Sequence, residues 1–224
     1  MIQENRRDPD IDRDGYCLWH YWAESPRPHD LWSSAKSKLS PDTRNHRSLQ
    51  GEHAWHRLAL RGHLDAMLSW SKSFEIPFDE KSDHVGIGQH GDTILMRAVW
   101  SGNDQMVKWL MELGVDIHTP DDQGHTPLMV AIHRCSAELV KRLLESGADP
   151  EAKDNKGRTA MHHAAQSEHT DLYTLVEDCG GEASVPDLHG QTARSILEKA
   201  VRTPQQALIT QGHWEIRYHS KLSF

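Results

Sequence analysis

Cysteine is scarce in this chain, and the cysteines that occur lie far apart. Cys17, Cys135 and Cys179 are the only three among 224 residues. They form no CxxC pair, so the sequence predicts neither a cysteine-based zinc cluster nor a disulfide framework. Few, unpaired cysteines are typical of a reducing compartment, and we expect a cytoplasmic protein.

Long apolar runs and an excess of positive charge are also missing. No run of about 18 apolar residues occurs, so the sequence predicts no membrane-spanning helix. The first ten residues have no apolar segment after their charges, which disfavours a secretory signal. The 25 Lys and Arg against 33 Asp and Glu give a net charge of −8. This balance disfavours a nucleic-acid groove, which needs a basic stripe, and favours a partner with a basic patch.

Sequence motifs for catalysis and cofactor binding are absent or incomplete. Neither the GxSxG elbow nor the GxxxxGK phosphate loop occurs. Residues 86–91 spell GxGxxG, but no buried strand precedes them, so we predict no nucleotide site. Among seventeen histidines, His53 and His56 could share a metal ion at a helix start. Because no HExxH motif or clustered ligand set supports such a site, we predict no metal, no cofactor and no enzyme activity.

The chain does contain a repeat of 33 residues. Gly91, Gly124, Gly157 and Gly190 are spaced by 33, and each is followed two residues later by threonine. A fixed period of this length predicts a stacked array of similar supersecondary units.

The unit that begins at Gly124 predicts two short helices. Thr126 can cap the first helix, and Pro127 suits its first turn, so this helix should run from about Pro127 to Arg134. The second helix should run from about Ser136 to Glu145. Its apolar residues recur at helical spacing and form one stripe: Leu139, Val140, Leu143 and Leu144. One pair of helices cannot cover this stripe, so neighbouring units must stack against it.

This unit resembles the ankyrin repeat. The matching residues are Thr126-Pro127-Leu128, Ala131 and Leu143 to Asp149, and the next unit adds Thr159, His162 and Ala164-Ala165. The resemblance implies an all-α fold. That fold is an ankyrin-repeat solenoid of about six helix-turn-helix units joined by hairpin-like turns, with divergent outer units.

The resemblance also sets the organisation of the chain. Units should start near residues 15, 51, 91, 124, 157 and 190, within a single domain of residues 11–224. Residues 1–10 are charged and expected to be disordered. In the first unit Cys17 and Leu18 replace Thr-Pro, and His29 to Leu39 should form the second helix. The alternative there is an N-terminal cap that is not a repeat. Residues 203–224 should form a C-terminal cap and tail.

Two departures from the repeat stand out. The distance from Gly51 to Gly91 is 40 residues, so an insertion of seven residues should lie within 74–90. Insertions in repeat arrays often lie on the binding face. The alternative is that its apolar residues, Phe74, Ile76 and Phe78, pack against the second helix of their own unit.

The second departure concerns the position between the two helices of a unit. Gly62 and Gly102 occupy it in two units, whereas Cys135 and Glu168 replace glycine in two others. If this position needs a positive φ, a side chain there should cost up to about 1 kcal/mol.

Ankyrin repeats usually bind partners through their hairpin tips and the exposed edge of the first helix, and the resemblance carries these roles to this chain. The predicted partner-binding residues are Tyr16, Leu60, Arg61, Asp92, Trp100, Ser101, Asp122, Gln123, His125, His133, Arg134, Asn155, Lys156, Arg158, Gln166 and Ser167. Trp100 is the most informative because tryptophan dominates binding hot spots. The alternative is that Trp100 only covers a neighbouring helix.

The resemblance therefore implies a non-catalytic protein–protein interaction module. In one hypothesis the protein is a dedicated inhibitor of one partner, such as a bacterial immunity protein that neutralises a toxin. Its small size, its acidity and its composition of little besides repeats favour this hypothesis. In the other it is an adaptor, scaffold or host-directed effector that bridges two proteins, with the 74–90 insertion or the C-terminal tail as a second contact surface.

Overall fold

The described part of the chain is helical. The structure, a computed structural model, describes residues 18–25, 53–72, 78, 80–82, 91–167 and 169–202. The helices in these ranges are α1 (Leu18–Glu24), α2 (Ala54–Arg61), α3 (Leu64–Ser71), α4 (Ile94–Ser101), α5 (Asp104–Glu112), α6 (Pro127–His133), α7 (Ala137–Glu145), α8 (Ala160–Gln166), α9 (Thr170–Asp178) and α10 (Ala193–Arg202). One isolated antiparallel bridge joins Pro186 to Thr192. The predicted all-α fold is confirmed, and none of these helices is long and apolar enough to cross a lipid bilayer.

Threonine begins the first helix of successive repeats. The hydroxyl oxygens of Thr93 and Thr126 accept the backbone N–H groups of Met96 and Met129 at 3.3 and 3.4 Å. At Thr159 a capping box forms, in which the backbone N–H of Thr159 donates to Nδ1 of His162 at 3.1 Å. These contacts satisfy N–H groups that the first helical turn cannot pair internally. Both α6 and α7 begin and end within one residue of the predicted bounds.

Packing covers the apolar stripe as the repeat requires. The chain divides into two compact units between Gln123 and Gly124. In the first unit, α1 packs on α2 and α2 packs on α4. In the second unit, α6 packs on α8 and α8 on α10, while α7 packs on α9. Of the four predicted stripe residues, Leu139, Val140 and Leu143 are fully buried and Leu144 is half-buried. The single domain over residues 11–224 stays a prediction.

Helix α1 lies where the divergent first repeat was predicted. Its Trp19, His20 and Ala23 are buried. Trp19 packs edge-to-face on Trp70 of α3, with ring centroids 4.8 Å apart. The predicted helix from His29 to Leu39, the N-terminal residues 1–10 and the tail 203–224 lie outside the described residues.

Hairpin-like turns with a repeated hydrogen-bond pattern precede α8 and α10. The backbone N–H of Asp154 donates to the Arg158 carbonyl at 2.9 Å, and that of Gly157 donates to the Asp154 carbonyl at 2.8 Å. Thirty-three residues later the same bonds join Asp187 to Gln191 at 2.8 Å and Gly190 to Asp187 at 3.0 Å. The predicted turn between repeats is therefore a tight tip closed by backbone hydrogen bonds.

The same hydrogen bonds locate the insertion. In the repeat at Gly91, the N–H of Ser82 donates to the Asp92 carbonyl at 3.0 Å, and the N–H of Gly91 donates to the Ser82 carbonyl at 2.9 Å. Ser82 thus takes the place that Asp154 has in the later turn. Ser82 precedes its glycine by nine residues, whereas Asp154 precedes Gly157 by three. Six of the seven extra residues therefore fall in the sequence between Ser82 and Gly91, and residues 83–90 are outside the described residues.

One apolar residue of the insertion contacts the following repeat. The ring of Phe78 meets Trp109 of α5 edge-to-face, with centroids 5.9 Å apart. Helix α5 is the second helix of the following repeat, not of the repeat that contains Phe78. The positions of Phe74 and Ile76 lie outside the described residues.

Substituting Cys135 by glycine should stabilise the protein by about 0.5–1 kcal/mol, because Cys135 has a left-handed backbone that costs an L-residue roughly this much. Its φ is 54°, close to the 70° and 71° of Gly62 and Gly102 at the equivalent positions. Urea unfolding followed by circular dichroism measures the change. A lower free energy of unfolding in Cys135→Gly would show that the cysteine side chain contributes more than the backbone strain costs.

Substitution by alanine should lower the free energy of unfolding more at Gly124, which begins a repeat, than at Gly147, which follows a second helix. Gly124 and Gly147 both have positive φ, but a Cβ on Gly124 would lie 2.7 Å from the backbone nitrogen of Asn155, whereas one on Gly147 would meet no atom within 4 Å. Gly147→Ala should therefore cost about 1 kcal/mol for its backbone alone, and Gly124→Ala about 1–3 kcal/mol more. Parallel urea titrations compare the two, and equal losses would contradict the close approach of the tips.

Candidate partner-binding surface

Asp154 organises the turn that precedes α8. Its Oδ1 accepts the backbone N–H groups of Lys156 and Arg158 at 2.8 and 2.9 Å. Aspartate favours this local turn because its short side chain reaches the backbone two residues on. Asp187 repeats the arrangement by accepting the N–H groups of His189 and Gln191, both at 2.8 Å.

The second carboxylate oxygen of Asp154 binds two side chains. Oδ2 accepts Nε of Arg158 and Nε2 of His163, at 2.7 and 3.1 Å. Burial alone would raise the pKa of Asp154, but the hydrogen bonds from His163 and Arg158 outweigh it and hold the pKa well below its usual range. The carboxylate is therefore charged, buried and paired with Arg158.

His163 is neutral at physiological pH. It lies on α8 and is 1% exposed. Burial lowers its pKa to about 4, and the hydrogen bond to Asp154 only partly opposes this. Since the bond to the carboxylate uses a proton on Nε2, Nδ1 carries the lone pair. No described residue forms a hydrogen bond with that buried Nδ1.

Two further histidine rings contact the ring of His163. His125 precedes α6 and His133 ends it, and their ring centroids lie 5.5 and 4.8 Å from that of His163. His125 and His133 are themselves 5.8 Å apart. Nε2 of His125 is also 3.8 Å from Oδ2 of Asp154. The three imidazoles thus form one cluster above the buried carboxylate.

The pair made by His125 and His133 recurs one repeat later. Arg158 and Gln166 lie 33 residues beyond them, and Nη1 of Arg158 donates to Oε1 of Gln166 at 3.2 Å. In both repeats a residue at the hairpin tip contacts the residue near the end of the first helix. The structure therefore joins the two classes of residue that were predicted separately, tips and helix edges.

Comparison with known proteins agrees with this geometry. Residues 95–187 match the family model described as ankyrin repeats, three copies. These residues are ankyrin repeats. No curated protein matches the sequence.

A solved structure extends the likeness to most of the chain. It is the crystal structure of the ankyrin repeat domain of Bcl-3, described as a unique member of the IkappaB protein family. The two chains are 22% identical, the match covers 86% of this chain and 85% of the Bcl-3 chain, and the TM-score is 0.69. At this identity the likeness shows the fold alone. The ankyrin-repeat fold is therefore established, whereas the count of six repeats stays a prediction.

The remaining predicted contacts in the second unit are at the surface. Arg134, Asn155, Lys156 and Gln166 are exposed, and Ser167 is half-buried with its hydroxyl donating to the Ala164 carbonyl at 2.8 Å. The carbonyl of Lys156 accepts the N–H of Leu188 from the next ankyrin tip at 3.0 Å.

Predicted contacts in the first unit differ in exposure. Arg61, Asp122 and Gln123 are exposed, as is Leu60 at 37%, whereas Trp100 and Ser101 are half-buried. Asp92 is 1% exposed, and its carboxylate lies 3.1 Å from Nε of Arg97 inside the protein. Its side chain is therefore not at the surface, and we leave it out of the proposed contacts. Tyr16 lies outside the described residues.

The sequence reasoning missed two residues, because Asp154 and His163 were not singled out. Leu188, which aligns with the hairpin tips, is 75% exposed. A signal for Asp154 was present, because Asp121, Asp154 and Asp187 recur every 33 residues. No signal of this kind exists for His163, whose equivalent one repeat earlier is the apolar Val130.

Replacing Asp154 should destabilise the protein more than replacing Asp187. Both aspartates bind two backbone N–H groups, but only Asp154 also bonds a buried histidine and an arginine among the described residues. Asp154→Ala should cost about 2–4 kcal/mol because it leaves Arg158 and His163 without their acceptor. Asp187→Ala should cost about 1 kcal/mol. Urea unfolding of both variants gives the comparison, and equal losses would mean that only the turn matters.

Proposed function

We propose that this protein acts by binding another protein through one surface of its second unit. This candidate surface consists of His125, His133, Arg134, Lys156, Arg158, Gln166 and the apolar Leu188. The proposal is carried by one observation, the repeated contact of a tip residue with a helix-end residue, His125 with His133 and Arg158 with Gln166.

Such a surface suits a binding protein because its side chains are already held in place. Arg158 is fixed by Asp154 and Gln166, and its side chain is 16% exposed. A contact side chain that is ordered before binding loses little further entropy on binding. Leu188 adds exposed apolar area, while Arg134 adds a long side chain of a type enriched at binding hot spots.

The charges that this protein favours on its partner differ between long-range attraction and direct contact. The net charge of −8 attracts a protein with a basic patch and speeds its encounter, an effect that salt weakens. Direct contact with Arg134 and Lys156 favours acidic or polar groups at the centre of the interface. The exposed thiols of Cys135 and Cys179 suit a reducing compartment, and we place the protein in the cytoplasm.

The role we favour is inhibition of one partner, as in an immunity protein that neutralises a toxin. A preordered surface can cover a partner's active site without chemistry of its own. The second candidate is an adaptor. It is favoured by the six extra residues in the sequence between Ser82 and Gly91, since insertions in repeat arrays often lie on the binding face.

Charge reversal at the candidate surface should weaken capture of the partner. Wild type, Arg134→Glu and Lys156→Glu serve as baits in a pull-down from native cells, with bound proteins identified by mass spectrometry. Each reversal should weaken binding at least about tenfold, the effect of a hot-spot residue. Lys141→Glu, which makes the same charge change on the exposed face of α7, is the matched control and should bind as wild type does.

The retained protein then decides between the two roles. A one-to-one complex that loses the partner's activity supports the inhibitor, whereas two proteins held together, measured by size exclusion with light scattering, support the adaptor. A partner that binds all four baits equally well would contradict the candidate surface.

A further inference from the structure

We infer that His125, His133 and His163 bind a divalent transition-metal ion, for which zinc is the best match. Among the described residues they form the one group of three potential ligands whose donor atoms all lie within 4.8 Å of one another. His125 precedes α6, His133 is the last residue of α6, and His163 lies on α8, so the site joins two successive repeats.

The chemistry of the donors suits zinc. Imidazole nitrogen is a common zinc ligand, at about 2.0–2.1 Å from the metal. In a tetrahedral site at this bond length, ligand nitrogens are about 3.3 Å apart. The rings therefore have to approach one another by at most about 1.5 Å. His133 is exposed and His125 half-buried, so these two rings have solvent beside them into which they can turn.

His163 is held as a metal ligand would be. Histidines that bind a metal through one ring nitrogen commonly donate the other N–H to a carboxylate, which sets the tautomer and the ring orientation. Nε2 of His163 donates to Oδ2 of Asp154 at 3.1 Å, and its Nδ1 is buried with no hydrogen-bond partner among the described residues. A metal ion bound at Nδ1 would give that lone pair a partner and leave the bond from Nε2 to Asp154 in place.

Arg158 does not prevent a cation from binding. Its guanidinium contacts Oδ2 of Asp154 through Nε and Nη2, both at 2.7 Å. The carboxylate offsets this charge, so the cluster is close to neutral before the ion binds. A zinc ion with three protein ligands takes water as its fourth ligand, and the exposure of His133 gives solvent access to the cluster.

Isothermal titration with zinc tests the site on the full chain, purified without a histidine tag and stripped with a chelator. We expect one ion per chain with micromolar or tighter affinity. His133→Ala and His125→Ala should each weaken this affinity at least about tenfold. His169→Ala removes an exposed histidine from the same unit, outside the cluster, and should leave the affinity unchanged.

Cobalt gives a readout of geometry that does not depend on affinity alone. Co²⁺ in a four-coordinate site should give an intense visible absorption, which His133→Ala should lose. Two results would overturn the inference. One is the absence of a saturable site in the wild type. The other is a single site that both His125→Ala and His133→Ala retain at full strength, since the ion would then lie among the other histidines. Neither result depends on a protein partner.

Discussion

The apolar stripe on each pair of helices has to be covered by the neighbouring pair, and this need sets the arrangement of the whole second unit. Leu139, Val140 and Leu143 are fully buried, with α9 packed on α7 and α8 packed on α6. Repeats of equal length stack in the same orientation, so their tips also meet. The carbonyl of Lys156 accepts the N–H of Leu188, and Gly124 has no space for a Cβ against the backbone of Asn155.

Stacking also creates an environment that no single repeat has. Asp154 lies at a hairpin tip, yet its carboxylate is 1% exposed and bonds Arg158 and His163. A buried charge persists only when it is well paired, and here backbone N–H groups and an arginine supply the pairing. The same contacts hold His163 beneath His125 and His133. The candidate surface and the proposed metal site therefore share one rigid base.

Local features of the fold could be predicted because they depend on neighbours in the sequence. The bounds of α6 and α7 follow from Thr126, Pro127 and the spacing of apolar residues. The positive φ of Cys135 follows from glycine at the equivalent positions of other repeats. Contacts over longer distances could not be predicted in this way. Asp92 aligned with tip residues and was expected at the surface, but Arg97 pairs with it in the interior. Likewise, the assignment of six extra residues to the sequence between Ser82 and Gly91 follows from the hydrogen bonds of Ser82 and not from residue counts alone.

By itself, the sequence determined the repeat, its period, its helix caps and the class of fold. The reason is that the same local signals for helix and turn recur every 33 residues. Only the tertiary structure decided which polar side chains meet. His125 and His163 are 38 residues apart and belong to different repeats, so no spacing motif connects them. They are in contact because stacking places adjacent repeats side by side. The later repeat has the buried His163 at the position where the preceding repeat has Val130.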